Sequence, residues 1–356
     1  MEENRIKYDK ATGIYTVVSD KEDFRILQLT DIHLGGTIIT AGHDRKAILA
    51  CEKLIRYSRP DLVVVTGDLT YPMKGLKYSY DNERLVKRFS RFMTKTGVPW
   101  AFTYGNHDTE IGAKLGPEEL DRLMMRISRK NGFGKDGKGL LYPQKGPEIY
   151  GRMNQLIEIR NSSGSLRQAV FLLDSNAYLS AEDASCCNAK RRTGLNIMKG
   201  REYDYIHDDQ VNWYREEVLR LEREEKKQVS SLIFTHIPLQ QYKTAFDLYR
   251  EGSSEVTYFF GFNEEKKVGK ICCSSVPSRL FDTARELGST KGIFCGHDHY
   301  NNMSLEYEGI RLTYGMSIDY NVMHMIAWKK RQRGGTLVRC SVDGGMEIEQ
   351  LPLMSV

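Results

Sequence analysis

The stretch Trp100-Ala101-Phe102-Thr103-Tyr104-Gly105-Asn106-His107-Asp108 anchors the reading of the chain. Its first five residues form a short, largely apolar run behind Pro99, as a buried strand requires. Gly105 then lets the backbone turn sharply without a Cβ clash. The amide, imidazole and carboxylate that follow are presented at the strand's carboxyl end, where open α/β sheets build their sites. Such a trio suits a metal site, an acid/base site or a hydrogen-bonded turn. The choice depends on what other strands deliver to the same edge.

Upstream, residues 24–30 alternate enough to form a strand leading into Asp31-Ile32-His33. Residues 43–57 place Ala47, Cys51, Leu54 and Ile55 at helical spacing, and Pro60 ends that helix. Leu62-Val63-Val64-Val65-Thr66 is a continuous apolar run, as expected of a strand covered on both faces, and runs into Gly67-Asp68. Leu85, Phe89, Phe92 and Met93 mark a second helix, closed by Gly97 and Pro99. Strand, helix, strand, helix, strand is the order of a parallel sheet with helices on its faces. Tyr15-Thr16-Val17-Val18 is expected as a first edge strand.

Downstream, Pro117 opens a helix bearing Leu120, Leu123, Met124 and Ile127. Residues 131–146 read as an exposed loop, and residues 154–160 and 168–174 as two strands. Residues 180–201 have little periodicity and read as a long loop. Asp208 or Asp209 is expected to cap a helix bearing Val211, Tyr214, Val218 and Leu221. A strand over residues 231–235 ends at His236, and residues 252–269 read as loop. A helix through Leu280, Phe281, Ala284 and Leu287 stops at Gly288. The strand Gly292-Ile293-Phe294-Cys295 ends in Gly296-His297-Asp298-His299. Further strands are expected near residues 304–307, 311–314, 325–329 and 336–342. With no internal repeat and no clear linker, a single domain over residues 1–356 with two sheet halves is the economical reading.

The chain carries 52 basic and 47 acidic residues, a net charge of +5. That is too mild to indicate a nucleic-acid partner. No apolar run reaches the length of a membrane span, and Met1-Glu2-Glu3-Asn4-Arg5 lacks the apolar core of a signal peptide. The seven cysteines are odd in number, and Cys186-Cys187 and Cys272-Cys273 are adjacent, unlike zinc or redox spacing. Reduced thiols and a cytoplasmic location are the expectation.

Five strand ends present polar groups in the same way: Asp31 with His33, Asp68, Asn106 with His107, His236, and His297 with His299. Five of the eight histidines fall in these turns; His43, His207 and His324 do not. One histidine after a strand is usually an ordinary core or surface residue, whereas five such turns point to a metal centre. Carboxylate, imidazole and amide donors suit Mn, Fe, Co, Ni or Zn. The donors suffice for two ions, divalent or trivalent, with Asp68, alone on its central strand, as the bridge. Asp31, His33 and one histidine of the 296–299 turn complete one ion. Asn106, His236 and the other histidine complete the second. Two such ions activate a shared water and clamp the oxygens of a phosphoryl group. His107 is left over as the expected general acid for a departing alkoxide, with Asp108 as its expected orienting partner.

The order Asp31-x-His33, Gly67-Asp68, Gly105-Asn106-His107-Asp108, His236 and Gly296-His297-x-His299 resembles the calcineurin-like metallophosphoesterase superfamily. The resemblance implies an α/β fold, a four-layer α-β-β-α sandwich with two mixed sheets between helices. It also implies that His299 joins Asp31 and His33, and that His297 joins Asn106 and His236. Leu173-Asp174-Ser175, Asp209-Gln210-x-x-Trp213, His236-Ile237-Pro238-Leu239 and Tyr314-Gly315 look like the group of plant purple-acid-phosphatase-like proteins and related fungal phosphatases. True purple acid phosphatases replace the first histidine and use a tyrosine three residues after the bridging aspartate. Here His33 is present, so Tyr71 is expected to support the site rather than ligate.

The function implied is metal-dependent hydrolysis of phosphomonoesters or phosphodiesters by a metal-bound hydroxide, on a small-molecule or protein substrate. A cyclic-nucleotide phosphodiesterase is the close rival, since such enzymes use the same five blocks. A non-catalytic metal-binding scaffold is the rival of a different class; it predicts missing ligands, and none is missing. Lys190-Arg191-Arg192 and Lys329-Lys330-Arg331 read as solvated surface. Tyr178, Asn301 and Tyr320 line the cleft if their loops fold over the strand ends, and simple packing explains them equally well.

Overall fold

Continuous apolar runs become the interior strands, because a strand buried on both faces needs an apolar residue at nearly every position. The computed structural model describes residues 5–72, 77–110, 112–152, 154–180, 202–265, 270–323, 326 and 333–356. In it β4 (Leu62–Thr66), buried at all five positions, lies inside a six-stranded sheet. β3 (Asp23–Leu29) and β5 (Pro99–Thr103) flank it in parallel. The short β6 (Gly139–Leu140) extends the parallel set, while β14 (Gly334–Ser341) and β15 (Met346–Pro352) add antiparallel strands beyond β3. The second sheet has nine strands. At its centre β8 (Leu166–Leu172), β9 (Ser231–Phe234), β11 (Thr290–Cys295) and β13 (Ile310–Tyr314) run parallel. On one side β7 (Gln155–Arg160) pairs antiparallel with β8, β2 (Tyr15–Val18) pairs parallel with β7, and β1 (Arg5–Tyr8) closes the edge antiparallel; on the other, β12 (Ser304–Tyr307) and β10 (Val256–Phe260) are both added antiparallel.

Alternation along the strands sorts the side chains into layers. Leu27, Leu29, Val63, Val65 and Trp100 pack against α1 (Ala41–Ser58), α2 (Asn82–Thr96) and α3 (Pro117–Lys130). Their neighbours Ile26, Leu62, Val64 and Ala101 face the second sheet and meet Val170, Leu172, Leu232, Phe234 and Phe294. Phe171, Ile233 and Ile293, one step along, cover α4 (Asp208–Glu225), α5 (Gln240–Arg250) and α6 (Leu280–Leu287) through Val211, Tyr214, Tyr242 and Phe281. The result is helix, sheet, sheet, helix: the four-layer α/β sandwich with two mixed sheets. Each fully buried aliphatic side chain in these layers contributes about 1.5–3 kcal/mol. The helix ends follow local chemistry. Pro117 starts α3, and Gly97 and Gly288 close α2 and α6 with φ of 74° and 68°.

Several elements differ from the sequence reading. Residues 131–146 are not simply an exposed loop, because Leu140, Leu141 and Tyr142 are buried and β6 pairs with β5. Residues 252–269 contain β10, an edge strand whose alternate exposure weakened its signal. α5, β1 and β15 had no assignment. Residues 15–18 are covered by β1 rather than forming the edge. At α4 the capping position is His207, whose backbone N–H donates to the Gln210 amide oxygen at 2.9 Å; Asp208 is already the first helical residue. Apart from Ser180 and Ile326, the loop expected at residues 180–201 and the strand expected at 325–329 lie outside the described residues, as do the basic triplets 190–192 and 329–331, Cys186, Cys187 and His324.

Candidate metal centre

Parallel strands expose all their carboxyl ends on one edge. The two sheets bring these edges together: Gln28 of β3 donates from Nε2 to the Cys295 carbonyl at 3.0 Å, and His236 Nδ1 donates to the Thr66 carbonyl at 2.7 Å. Two glycines allow the approach. A Cβ on Gly105 would overlap Asp68 Oδ1 and its backbone nitrogen, and one on Gly296 would overlap the Thr30 hydroxyl. The turns are strained as well as tight. Asp31, His33, Asp68 and His297 hold φ of 51°, 48°, 50° and 74°, in the left-handed region that costs a non-glycine residue about 1–3 kcal/mol. Strain at four polar residues in one spot marks a functional constraint.

All seven expected ligands meet here. One ligand atom from each of Asp31, His33, Asp68 and His299, an imidazole nitrogen or a carboxylate oxygen, lies within 4.8 Å of the others, and the same holds for Asp68, His236 and His297. Asp68 belongs to both groups. Its Oδ2 is 3.1 Å from His33 Nε2 and 3.3 Å from His236 Nε2. Asn106 Oδ1 lies 3.2 Å from His236 Nε2, and His299 Nε2 lies 3.4 Å from Asp31 Oδ1. The outer nitrogens are held in turn: His236 Nδ1 by the Thr66 carbonyl, and His299 Nδ1 by Asp319 Oδ2 at 2.9 Å. That arrangement fixes each tautomer and turns Nε2 inward, as metal-binding imidazoles require. His297 Nε2 is buried with no hydrogen-bond partner. A buried orphan nitrogen beside a shared carboxylate fits a cation, so the donor set suits two metal ions.

The electrostatics agree. Burial disfavours charge on Asp68, but His236 and His107 outweigh it and hold its carboxyl well below the usual range. Asp319 is likewise held low, against burial, by His299 and His33. Burial pulls His236 down, yet Asp68 lifts it to about 9, and Asp319 and Asp68 raise His33 in the same way. His297 goes down, through burial and the neighbouring His236. The pocket of carboxylates therefore recruits positive charge.

His107 sits beside the two groups, partly exposed, and its backbone N–H donates to Asp68 Oδ1 at 2.8 Å. Its orienting partner is not Asp108. The Asp108 carboxylate is fully buried and accepts from the backbone N–H groups of Asp68, Gly105 and Thr70 at 2.9, 2.9 and 3.0 Å. Burial and the nearby Asp68 charge push its pKa up to about 7. Glu110 takes the partner's place, with Oε2 2.5 Å from His107 Nδ1. Glu110, three residues beyond His107, was legible as an acid at reachable spacing. Asp319, five residues beyond the end of β13, has no such local signal. Tyr71 packs edge-on against His33, ring centroids 5.5 Å apart. The Tyr178 hydroxyl accepts from Asn106 Nδ2 at 3.2 Å, which puts Tyr178 at the centre. Asn301 is buried and fixes the backbone of Glu264 and Glu265, and Tyr320 lies under the Arg333 guanidinium, so both are packing residues.

The chain is similar to known proteins over most of its length. It is 27% identical over 331 residues to the probable inactive purple acid phosphatase 14 of Arabidopsis thaliana, covering 87% of this chain and 74% of that one. It is 25% identical over 306 residues to phosphatase DCR2 of Saccharomyces cerevisiae, covering 81% of this chain and 46% of that one. A dimetal phosphatase from Danio rerio shares the fold, with a TM-score of 0.55 at 12% identity over 94% of this chain and 97% of the other. No described helix is long and apolar enough to cross a membrane. The family model for calcineurin-like phosphoesterases matches residues 24–301, which hold all seven expected ligands, and the chain belongs to that family.

Proposed function

We propose that the chain hydrolyses phosphoesters, monoesters or diesters, of a small molecule or a protein, at a dinuclear metal centre. The observation that supports this most is the pair of ligand groups sharing Asp68. Asp31, His33, Asp68 and His299 would hold one ion, and Asp68, Asn106, His236 and His297 the other. Two bound ions, of Fe, Mn, Zn, Ni or Co, supply an activated water and neutralise phosphoryl oxygens. The residues do the rest. Asp319 and the Thr66 carbonyl orient the imidazoles. His107, turned by Glu110, donates a proton to the departing alkoxide from Nε2. No side chain need act as nucleophile, so no phosphoenzyme forms.

The word "inactive" in the name of the Arabidopsis relative favours a second reading, a metal-binding scaffold without turnover. The full ligand set of this chain argues for catalysis. Metal analysis of the purified protein, combined with a panel of aryl and alkyl mono- and diesters, separates the two. Hydrolysis that follows metal content supports the enzyme; bound metal without turnover on any ester supports the scaffold. Absence of both bound metal and metal-restored hydrolysis sinks the proposal.

A further inference from the structure

A basic feature lies on the helical layer, beside the loop that follows β3. We propose that the cavity of about 500 Å³ between the start of α1 and one face of α2 binds a small ligand carrying two or more linked phosphates. One wall is Arg84, Arg88 and Arg91, whose spacing of four and three puts them on a single helix face. At 1.5 Å rise per residue the first and last stand about 10 Å apart along the axis. A single phosphate is too small to span that row, whereas linked phosphates offer successive oxygens to successive guanidinium forks.

The countercharge inside the cavity is small. Asp44, 1% exposed, is the only carboxylate among its described lining residues, and it already accepts from Gly35 N, Gly36 N and Asn321 Nδ2 at 2.9, 2.8 and 3.0 Å. Arg88 approaches it at 3.6 Å. Arg84 donates to the Gly36 carbonyl. Arg91 has no ion pair among the described residues. The same helix matches Lys87 with Glu83 four residues back. Along the arginine row it instead sets like charges at three and four residues, which destabilises a helix. A like-charge stack facing a cavity, on a helix whose Lys87 is neutralised by Glu83, suits an anion from outside. Ile38, 96% exposed at the rim, offers an apolar surface to the ligand's body.

Methylenediphosphonate is the probe, because its P–C–P link resists hydrolysis. It is titrated calorimetrically into the full chain and into Asp68→Asn, which lacks the bridging carboxylate of the metal centre. Asp68→Asn should retain one site within about threefold of its native affinity, and Arg88→Ala or Arg91→Ala on that background should each weaken it by about tenfold or more. Arg91→Lys, which keeps the charge and loses the fork, should fall between. Inorganic phosphate should bind about tenfold more weakly than the diphosphonate. Loss of all binding in Asp68→Asn would mean that the probe sits at the metal centre, and overturns the proposal. So would binding indifferent to the arginines, or phosphate binding as tight as the diphosphonate. None of these outcomes bears on whether the metal centre hydrolyses esters.

Discussion

At the scale of single residues, the contact between Glu110 and His107 carries the most chemistry. Glu110 is 5% exposed, and its second oxygen, Oε1, has no hydrogen-bond partner. Its first oxygen holds His107 Nδ1 and leaves Nε2 to face a substrate. If the pair delivers a proton, its importance scales with the basicity of the leaving group. Glu110→Gln should lower kcat/KM for alkyl phosphoesters by about 10²-fold, within the usual range for acid catalysis, and leave nitrophenyl esters within a few-fold. His107→Ala should show the same pattern more strongly. Equal losses on alkyl and nitrophenyl esters would make His107 a phosphate-positioning group. A Glu110→Gln enzyme as active as the native one on alkyl esters would show that the imidazole needs no such partner.

At the scale of elements, Asp108 ties the ends of β4 and β5 together. Its carboxylate accepts three backbone N–H groups that no strand ladder serves, from Asp68, Gly105 and Thr70. The Asn82 side chain at the start of α2 then holds the Asp108 carbonyl at 3.0 Å. A buried N–H left unpaired costs about 1–3 kcal/mol. Asp108→Ala should therefore destabilise the chain by at least about 3 kcal/mol in urea unfolding and displace Asp68, with loss of metal binding. A variant of native stability with full metal content would show that the carboxylate is dispensable. This element also shows what sequence can and cannot carry. Apolar runs such as residues 62–66 reveal buried strands, and a polar residue after each run reveals the shared edge. That is why the α/β layering and the convergence of Asp31, His33, Asp68, Asn106, His236, His297 and His299 were readable. The direction of the Asp108 side chain was not. Adjacent residues leave a tight turn on different sides, and backbone φ decides which. Asp319 was hidden because an aspartate five residues past a strand has no local signature. β10 was hidden because an edge strand with exposed Thr257 and Phe259 resembles loop composition.

At the scale of the molecule, the candidate centre is also a fastener between the two sheets. Asp31, His33, Asp68 and Asn106 follow strands of the six-stranded sheet, and His236, His297 and His299 follow strands of the nine-stranded one. The interlayer core around Val64, Val170 and Phe234 holds the sheets together independently of these residues. Loss of metal should therefore loosen the strand ends without unfolding the sandwich. A ligand that binds only the folded chain stabilises it by about 2.7 kcal/mol at a concentration one hundred times its Kd. In a domain of this size that corresponds to a rise in Tm of about 4 °C. Treatment with a chelator should lower Tm by about that amount while the far-ultraviolet circular dichroism stays native, and added Mn or Zn should restore it. Asp68→Asn severs the one carboxylate shared by both ligand groups. Its Tm should no longer respond to chelator or metal. A native chain whose Tm ignores metal, or an Asp68→Asn chain that still responds fully, would remove the fastener role and leave the sheets held by the interlayer core and hydrogen bonds such as Gln28 to the Cys295 carbonyl.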